Sequence, residues 1–413
     1  MEKLRKIKSW AGWFVAAVLY FGIHGYNLQF PDEMYYDEVY FVKTAREIIN
    51  LNGYTDTVQP PFGKLLIALN ILIFGDHSWA WRMVSLAAGF GCLAVLYQIT
   101  KLLTKSSRTA FFAAFLFSLD CVSFTQARIA MLNAGMFLFM LLSILFLIKH
   151  VVTREWTRQK AFLWSGICFG FSVGSRLIGV SIGAVLALFY FSVWRESKNK
   201  RSLIEDTVIY LMIISFFCYE VSYLIIPFIK GFDWSTIWKL QFYMAKYHLT
   251  LKQGHTYGSE WWTWPLMIRP IWYFYRIFNT DAGSMVNGIL CIGNPVIFWM
   301  MPVAIGYVIR EHRKTKTWVS AFVLMGFFTQ WLQWAFVSRV KFFHYIYTVM
   351  PFVTIAMALG LEQLWRSGKA GKGAVLTYLA LVVAMFIYWL PLLNGMSISE
   401  AYFRQHMWFK SWI

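Results

Sequence analysis

The chain is 413 residues long, 59% hydrophobic, 20% aromatic and 14% charged, with a mean hydropathy of +0.52. This is too apolar for a soluble globular or disordered protein, so the bilayer is the expected solvent. A formal net charge of +18 could suit a polyanion, but Lys and Arg concentrate in short gaps between apolar runs. No nucleic-acid partner is expected.

A spanning helix needs roughly 20 mostly apolar residues, and eleven segments meet or approach that length. They run from about Trp10 to Phe30, Ala80 to Thr100, Thr109 to Leu119, Ile129 to Ile148, Ala161 to Val173 and Leu177 to Trp194. The series continues with Thr207 to Ile229, Met285 to Ile309, Trp318 to Val337, Phe343 to Leu361 and Ala374 to Leu393. The basic gaps EKLRKIK, KLLTKSSR, KHVVTREWTRQK, WRESKNKR, REHRKTK and WRSGKAGKG are every second gap between the spans. Under the positive-inside rule this places the N-terminus in the cytoplasm and the C-terminus outside. The expectation is an all-α polytopic membrane protein, one domain over 1–413 with no separate soluble domain. No small-residue cleavage site precedes Tyr26, so the first apolar run reads as a retained anchor.

Two outer loops, about 31–79 and 230–284, are too long for simple turns, and long ordered loops usually carry function. The first holds a short helical run from Thr44 to Leu51, the turn Asn52-Gly53, and then Gln59-Pro60-Pro61-Phe62-Gly63. The two prolines bar a helix and set an extended entry into the run Leu65 to Phe74, which is too short to span. It reads as re-entrant or interfacial. The second loop carries His248, His255 and Trp261-Trp262-Thr263-Trp264-Pro265. Such tryptophans suit an interfacial belt or an aromatic wall for a sugar or acceptor.

Only 20 residues are acidic, yet Asp32, Glu33, Asp37 and Glu38 fall within seven positions of the first outer loop. Clustered carboxylates raise one another's pKa and need cations nearby. Lys43, Arg46, Lys64, Arg82, Arg128, Arg269, Arg276 and Arg339 are the candidates at outer ends. Arg128 follows Asp120 across the third gap. Arg176 occupies the turn Gly174-Ser175-Arg176-Leu177, where a charge between two apolar runs marks a pathway or site. Glu220 falls inside an expected span and reads as structurally paired. The five cysteines lie in or at the edges of apolar runs without metal spacing and read as packing residues. The histidines form no HExxH, and no Walker loop, GxGxxG or serine elbow is present. No cofactor is expected. Metal use is left open by the outer carboxylates, but without ligand spacing no metal ion is expected.

In this order, Tyr36-Asp37-Glu38-Val39-Tyr40-Phe41, Gln59-Pro60-Pro61-Phe62-Gly63-Lys64, Trp81-Arg82, Asp120 to Gln126-Ala127-Arg128, Tyr247-His248-Leu249, Trp261 to Leu266 and Gly293-Asn294-Pro295-Val296 resemble the protein O-mannosyltransferases. The ordered set covers about residues 30 to 360. The resemblance implies a C-type glycosyltransferase fold (GT-C) of about eleven spans and a sugar carried on a polyprenyl phosphate. It implies that Asp37 is the catalytic base and Glu38 an orienting partner, paired with Arg128. A carboxylate can take the proton of a Ser or Thr hydroxyl as it attacks the anomeric carbon. The phosphate leaving group needs positive charge rather than an acid. Arg128 is expected to hold it first and Arg176 second. Gln59, Pro60, Lys64, Asp120, His248 and Trp262 are expected to line the substrate site.

The implied reaction is inverting transfer of a sugar, mannose in this family, to a translocated protein outside a bacterial plasma membrane. The alternative acceptor is a lipid or envelope glycan. A transporter or flippase would need mid-membrane charges and broken helix pairs, and only Glu220 fits. Two positions depart from the family pattern: Gln59 stands where histidine is usual and Asn133 where aspartate is usual.

Overall fold

The computed structural model describes residues 2–250, 254–281 and 283–413, with side chains from residue 11 onward. Positions 251–253 and 282 of the expected second outer loop, and the side chains of the N-terminal basic run, lie outside the described residues.

The chain opens with α1 (Glu2–Gly25), followed by the acidic loop. Two shorter helices follow, α2 (Glu38–Ile49) and α3 (Phe62–Phe74). The helix α2 begins six residues before the expected start at Thr44, because Phe41, Val42, Ala45 and Ile48 already form one buried stripe. As anticipated, α3 is too short to span. Gly63 lets its first turn approach the turn before Arg176: a Cβ there would meet Leu132 Cδ2 at 2.8 Å and the Ser175 carbonyl at 3.3 Å.

The helical body then runs through α4 (Ser78–Thr104), α5 (Ser107–Ser118), α6 (Cys121–Gln126), α7 (Asn133–Val151), α8 (Arg158–Ser175), α9 (Gly183–Glu196), α10 (Lys200–Asp206), α11 (Ile214–Val221) and α12 (Trp234–Thr250). After a sheet it resumes with α13 (Pro295–Thr315), α14 (Trp318–Leu332), α15 (Met350–Arg366), α16 (Lys369–Leu393) and α17 (Glu400–His406). Side chains cap several of these helices: Ser106, Thr157 and Thr317 each accept a backbone N–H two or three residues into α5, α8 and α14. Among the described residues, six helical segments are long and apolar enough to cross a membrane: Ser78–Thr104, Asn133–Val151, Leu177–Glu196, Lys200–Phe228, Phe343–Arg366 and Lys369–Leu393.

An antiparallel sheet of β1 (Ile271–Thr280), β2 (Gly283–Cys291) and β3 (Ser397–Ser399) interrupts the helices. The span expected from Met285 is therefore corrected: 285–291 is strand, and the helix starts at Pro295 behind an Asn294 cap. Gly288 lies under Trp272, where a Cβ would come within 2.5 Å of the indole, and β3 brings the C-terminal segment onto β2 through Val286 and Ile398. The apolar run is thus satisfied by packing on a sheet rather than by lipid.

One ion pair ties the acidic loop to the body. The Glu38 carboxylate accepts from Arg82 Nε and Nη2, each at 2.9 Å, and from the Ala130 N–H at 2.8 Å. Arg82 also donates to the carbonyls of Leu28 and Glu33, and neither side chain reaches solvent. Removing one partner of such a pair leaves a buried charge uncompensated. Glu38→Ala is expected to destabilise the protein by about 3–5 kcal/mol, seen as a lower melting temperature in detergent; an unchanged melt would show that the pair is dispensable.

Candidate active site

Asp37 immediately precedes α2, yet its carboxylate does not cap the helix. Among the described residues it makes no hydrogen bond or ion pair, so it is held through its neighbours. Glu38 is locked on Arg82 behind it. Before it, Tyr36 has a left-handed backbone (φ 51°), a conformation costly for a bulky side chain and typical of sites that fix geometry by strain. The Tyr36 ring packs 4.5 Å from Tyr273 of β1 and 6.0 Å from His344. The half-buried Asp37 carboxyl is pushed up from 3.8 to about 6. Burial is the main cause, opposed by Arg176, reinforced by Asp56 and opposed again by Arg339.

The two arginines line a cavity of about 240 Å³ together with Gln59, Asn133, His248 and His344. Its wall contains an unusual concentration of unpaired polar atoms. Gln59 Oε1, Trp334 Nε1, Arg339 Nε, both His344 ring nitrogens and the Tyr347 and Thr348 hydroxyls are buried without a hydrogen-bond partner among the described residues. Unpaired buried polar groups are costly, and their convergence on one cavity marks a site for a polar ligand.

Each arginine has a holder. Arg176 donates to Asn133 Oδ1. Asn133 Nδ2 in turn donates to Gln126 Oε1 at 2.8 Å, and Gln126 Nε2 to the Tyr273 hydroxyl at 2.5 Å. Because Asn133 is neutral, it orients Arg176 without cancelling its charge. Arg339 Nη1 donates to His248 Nδ1 at 2.6 Å, while His248 Nε2 donates to the Val58 carbonyl at 2.8 Å. An arginine can only donate, so His248 is neutral with its proton on Nε2. Burial, then Arg339 and Arg176, push its pKa down against the pull of the Val58 carbonyl. Lys64 is fully buried against the Asp56 carboxylate at 3.0 Å and donates to the carbonyls of Asp56 and Gln59, which fixes the 56–59 segment.

Of the residues expected at the site, Gln59, Arg176 and His248 line the cavity and Asp37 is coupled to its arginines. Others are corrected. Arg128 donates to the carbonyls of His24, Tyr26 and Asn27; it closes the end of α1 and pairs with neither Glu38 nor the cavity. Glu38 spends its acceptor capacity on Arg82 and Ala130, which suits an orienting role and not a catalytic one. Asp120 caps α6 through Ser123, Lys64 and Pro60 support the loop behind Gln59, and Trp262 is 60% exposed away from the cavity lining. Among the described residues, no three His, Cys, Asp or Glu side chains group as metal ligands. His344 and Asp56 were missed: nothing in their local sequence separates them from other loop and span-end residues.

The helical body, with a carboxylate electrostatically coupled to the arginines that line a cavity, belongs to a recognised class. The fold is that of GT-C membrane glycosyltransferases. It aligns with the S. cerevisiae protein O-mannosyltransferase complex bound to the sugar donor (TM-score 0.85, 14% identity, 97% of this chain and 92% of that one). It also aligns with ArnT from Cupriavidus metallidurans bound to undecaprenyl phosphate (TM-score 0.61, 15% identity, 91% and 64%). Residues 58–224 match the family model for dolichyl-phosphate-mannose-protein mannosyltransferase, and 232–412 match that for the C-terminal four-span region of protein O-mannosyltransferase. The chain is similar to polyprenol-phosphate-mannose–protein mannosyltransferases of Mycobacterium tuberculosis (25% identity, 91% of this chain, 86% of that protein) and Corynebacterium glutamicum (25%, 87% and 82%). This chain belongs to the protein O-mannosyltransferase family, and it is an integral membrane glycosyltransferase.

Asn133→Leu removes the holder of Arg176 and leaves the guanidinium without its side-chain acceptor. Loss of one charge-assisted hydrogen bond predicts about a tenfold rise in donor KM, measured by sugar transfer from a polyprenyl-phosphate donor. An unchanged KM would mean that Arg176 needs no such orientation.

Proposed function

We propose that this enzyme transfers mannose, with inversion, from a polyprenyl-phosphate donor to a Ser or Thr hydroxyl of a protein on the extracytoplasmic side of a bacterial plasma membrane. The observation that carries this reading is an unpaired Asp37 carboxylate coupled to two arginines at a cavity rich in unpaired polar atoms. The acceptor hydroxyl oxygen bonds to the anomeric carbon as the bond from that carbon to the phosphate oxygen breaks. The hydroxyl proton passes to Asp37, and the electron pair leaves with the polyprenyl phosphate. Arg176, with Arg339 beside it, meets the growing phosphate charge where low dielectric strengthens the attraction. Arg176 therefore takes the role first expected of Arg128. A single displacement with one base inverts the anomeric centre.

The acceptor is supported by the protein mannosyltransferase names of the relatives, and the extracytoplasmic side by the alternating basic gaps. Mass spectrometry of a deletion strain tests the acceptor: loss of hexose from secreted proteins is expected. Intact protein glycoforms with a shortened envelope glycan would move the acceptor to that glycan.

Two kinetic outcomes follow. Asp37→Asn is expected to lower kcat by about 10²–10⁴ with donor binding kept; undiminished turnover rules Asp37 out as the base. A base must be ionised, so kcat/KM should fall as pH drops through about 6. Arg339 favours the ionised form, and Arg339→Ala should therefore move the acid limb to higher pH. A limb that stays in place, or moves down, would show that another group controls it.

A further inference from the structure

Outside the cavity, α12 carries a surface that the reaction does not use. Trp234, Trp238 and Phe242 follow one another at intervals of four and share one line along the helix, which Leu249 extends. All four are exposed, Phe242 to 75% and Leu249 to 80%. The opposite face is already occupied: Ile237, Leu240 and Met244 pack with Ile48, Tyr54, Tyr223 and Ile226. Lys239 and Lys246, seven residues apart, run beside the exposed stripe. A tryptophan-rich apolar line with flanking lysines is the pattern of a helix lying in the headgroup region of a bilayer.

Its place in the chain points to lipid as the occupant. The apolar segment Lys200–Phe228 ends only five residues before α12, a stretch that reaches at most about 17 Å. Leu224 and Phe228, at the end of that segment, are themselves exposed. Gln241, midway along α12, donates to Glu220 of α11 at 2.6 Å, pinning the helix beside the end of the span. The last turn then supplies His248, which joins Arg339 to the Val58 carbonyl.

We propose that α12 is a membrane-docking helix: the Trp234, Trp238 and Phe242 face seats among lipid headgroups, and this seating holds His248 against Arg339 and the 56–59 segment. Contact with the membrane thereby orders one wall of the donor cavity. The docking itself needs only the span beside it; its effect on the donor rests on the proposed function.

The test uses the full chain in phosphatidylcholine vesicles. Trp238→Cys, Phe242→Cys and, for contrast, Lys239→Cys carry a bimane label, with unsubstituted protein as the blank for the native cysteines. A headgroup-level nitroxide lipid should quench labels at 238 and 242 at least about twofold more than at 239, and iodide should do the reverse. Iodide quenching at 238 equal to that at 239 overturns docking by placing the stripe in water. Protection from both quenchers also overturns it, in favour of a protein partner or second copy. For the coupling, Trp238→Ser combined with Phe242→Ser should weaken binding of undecaprenyl phosphate in vesicles about tenfold, the effect of losing one charge-assisted contact. His248→Leu should weaken it to the same degree, with no further loss in the triple variant. Undiminished binding in the double variant refutes the coupling. These readouts involve no sugar transfer, so undiminished turnover in Asp37→Asn would overturn the proposed role of that base and leave them standing.

Discussion

The buried pair of Glu38 and Arg82 is the contact on which the site depends. Two carboxylates are adjacent in the chain, and only one can serve as a base if the other is neutralised elsewhere. Arg82 does this from α4, and its remaining N–H groups gather the Leu28 and Glu33 carbonyls of the preceding loop. The same contacts fix the start of α2 and with it the backbone of Asp37. A buried ion pair is weak evidence of net stability, but breaking it is expensive. Its value here is positional.

The arginines divide into those that build and those that remain available. Arg82 and Arg128 are surrounded by acceptors and serve the framework. Arg176 and Arg339 are held by neutral groups, Asn133 and His248, so their charge is undiminished at the cavity. That distinction explains how Asp37 can be half-buried and still ionise near pH 6: burial raises its pKa, and the available cations limit the rise. It also gives a physical meaning to the asparagine at 133, since an aspartate there would pair with Arg176 directly.

Three distant parts of the chain converge to make this arrangement. The 56–59 segment is fixed by Lys64, β1 supplies Tyr273 to both Tyr36 and Gln126, and the segment after α14 contributes Arg339 and His344. The sheet is central because it reaches the acidic loop and the relay to Arg176 through a single tyrosine. A chain built of spanning helices alone would lack that bridge.

Much of this was legible in the sequence because it rests on local or additive properties. Apolar length and basic gaps announce a membrane protein, Pro60 and Pro61 mark where α3 begins, and the ordered motifs point to the family and to Asp37. What could not be read locally was partnership. Arg82 and Arg128 look equally available to Glu38, and the choice lies in which helix end carries free carbonyls to occupy the other. The strand at 283–291 looks like the start of a span, because an apolar run is satisfied equally by lipid and by Trp272 lying over Gly288. The sequence by itself determined the solvent and the class of chemistry, and it singled out the carboxylate proposed as the base. Tertiary structure decided which cations stay available, because charge availability depends on every acceptor within reach, and those acceptors come from residues up to 104 positions apart.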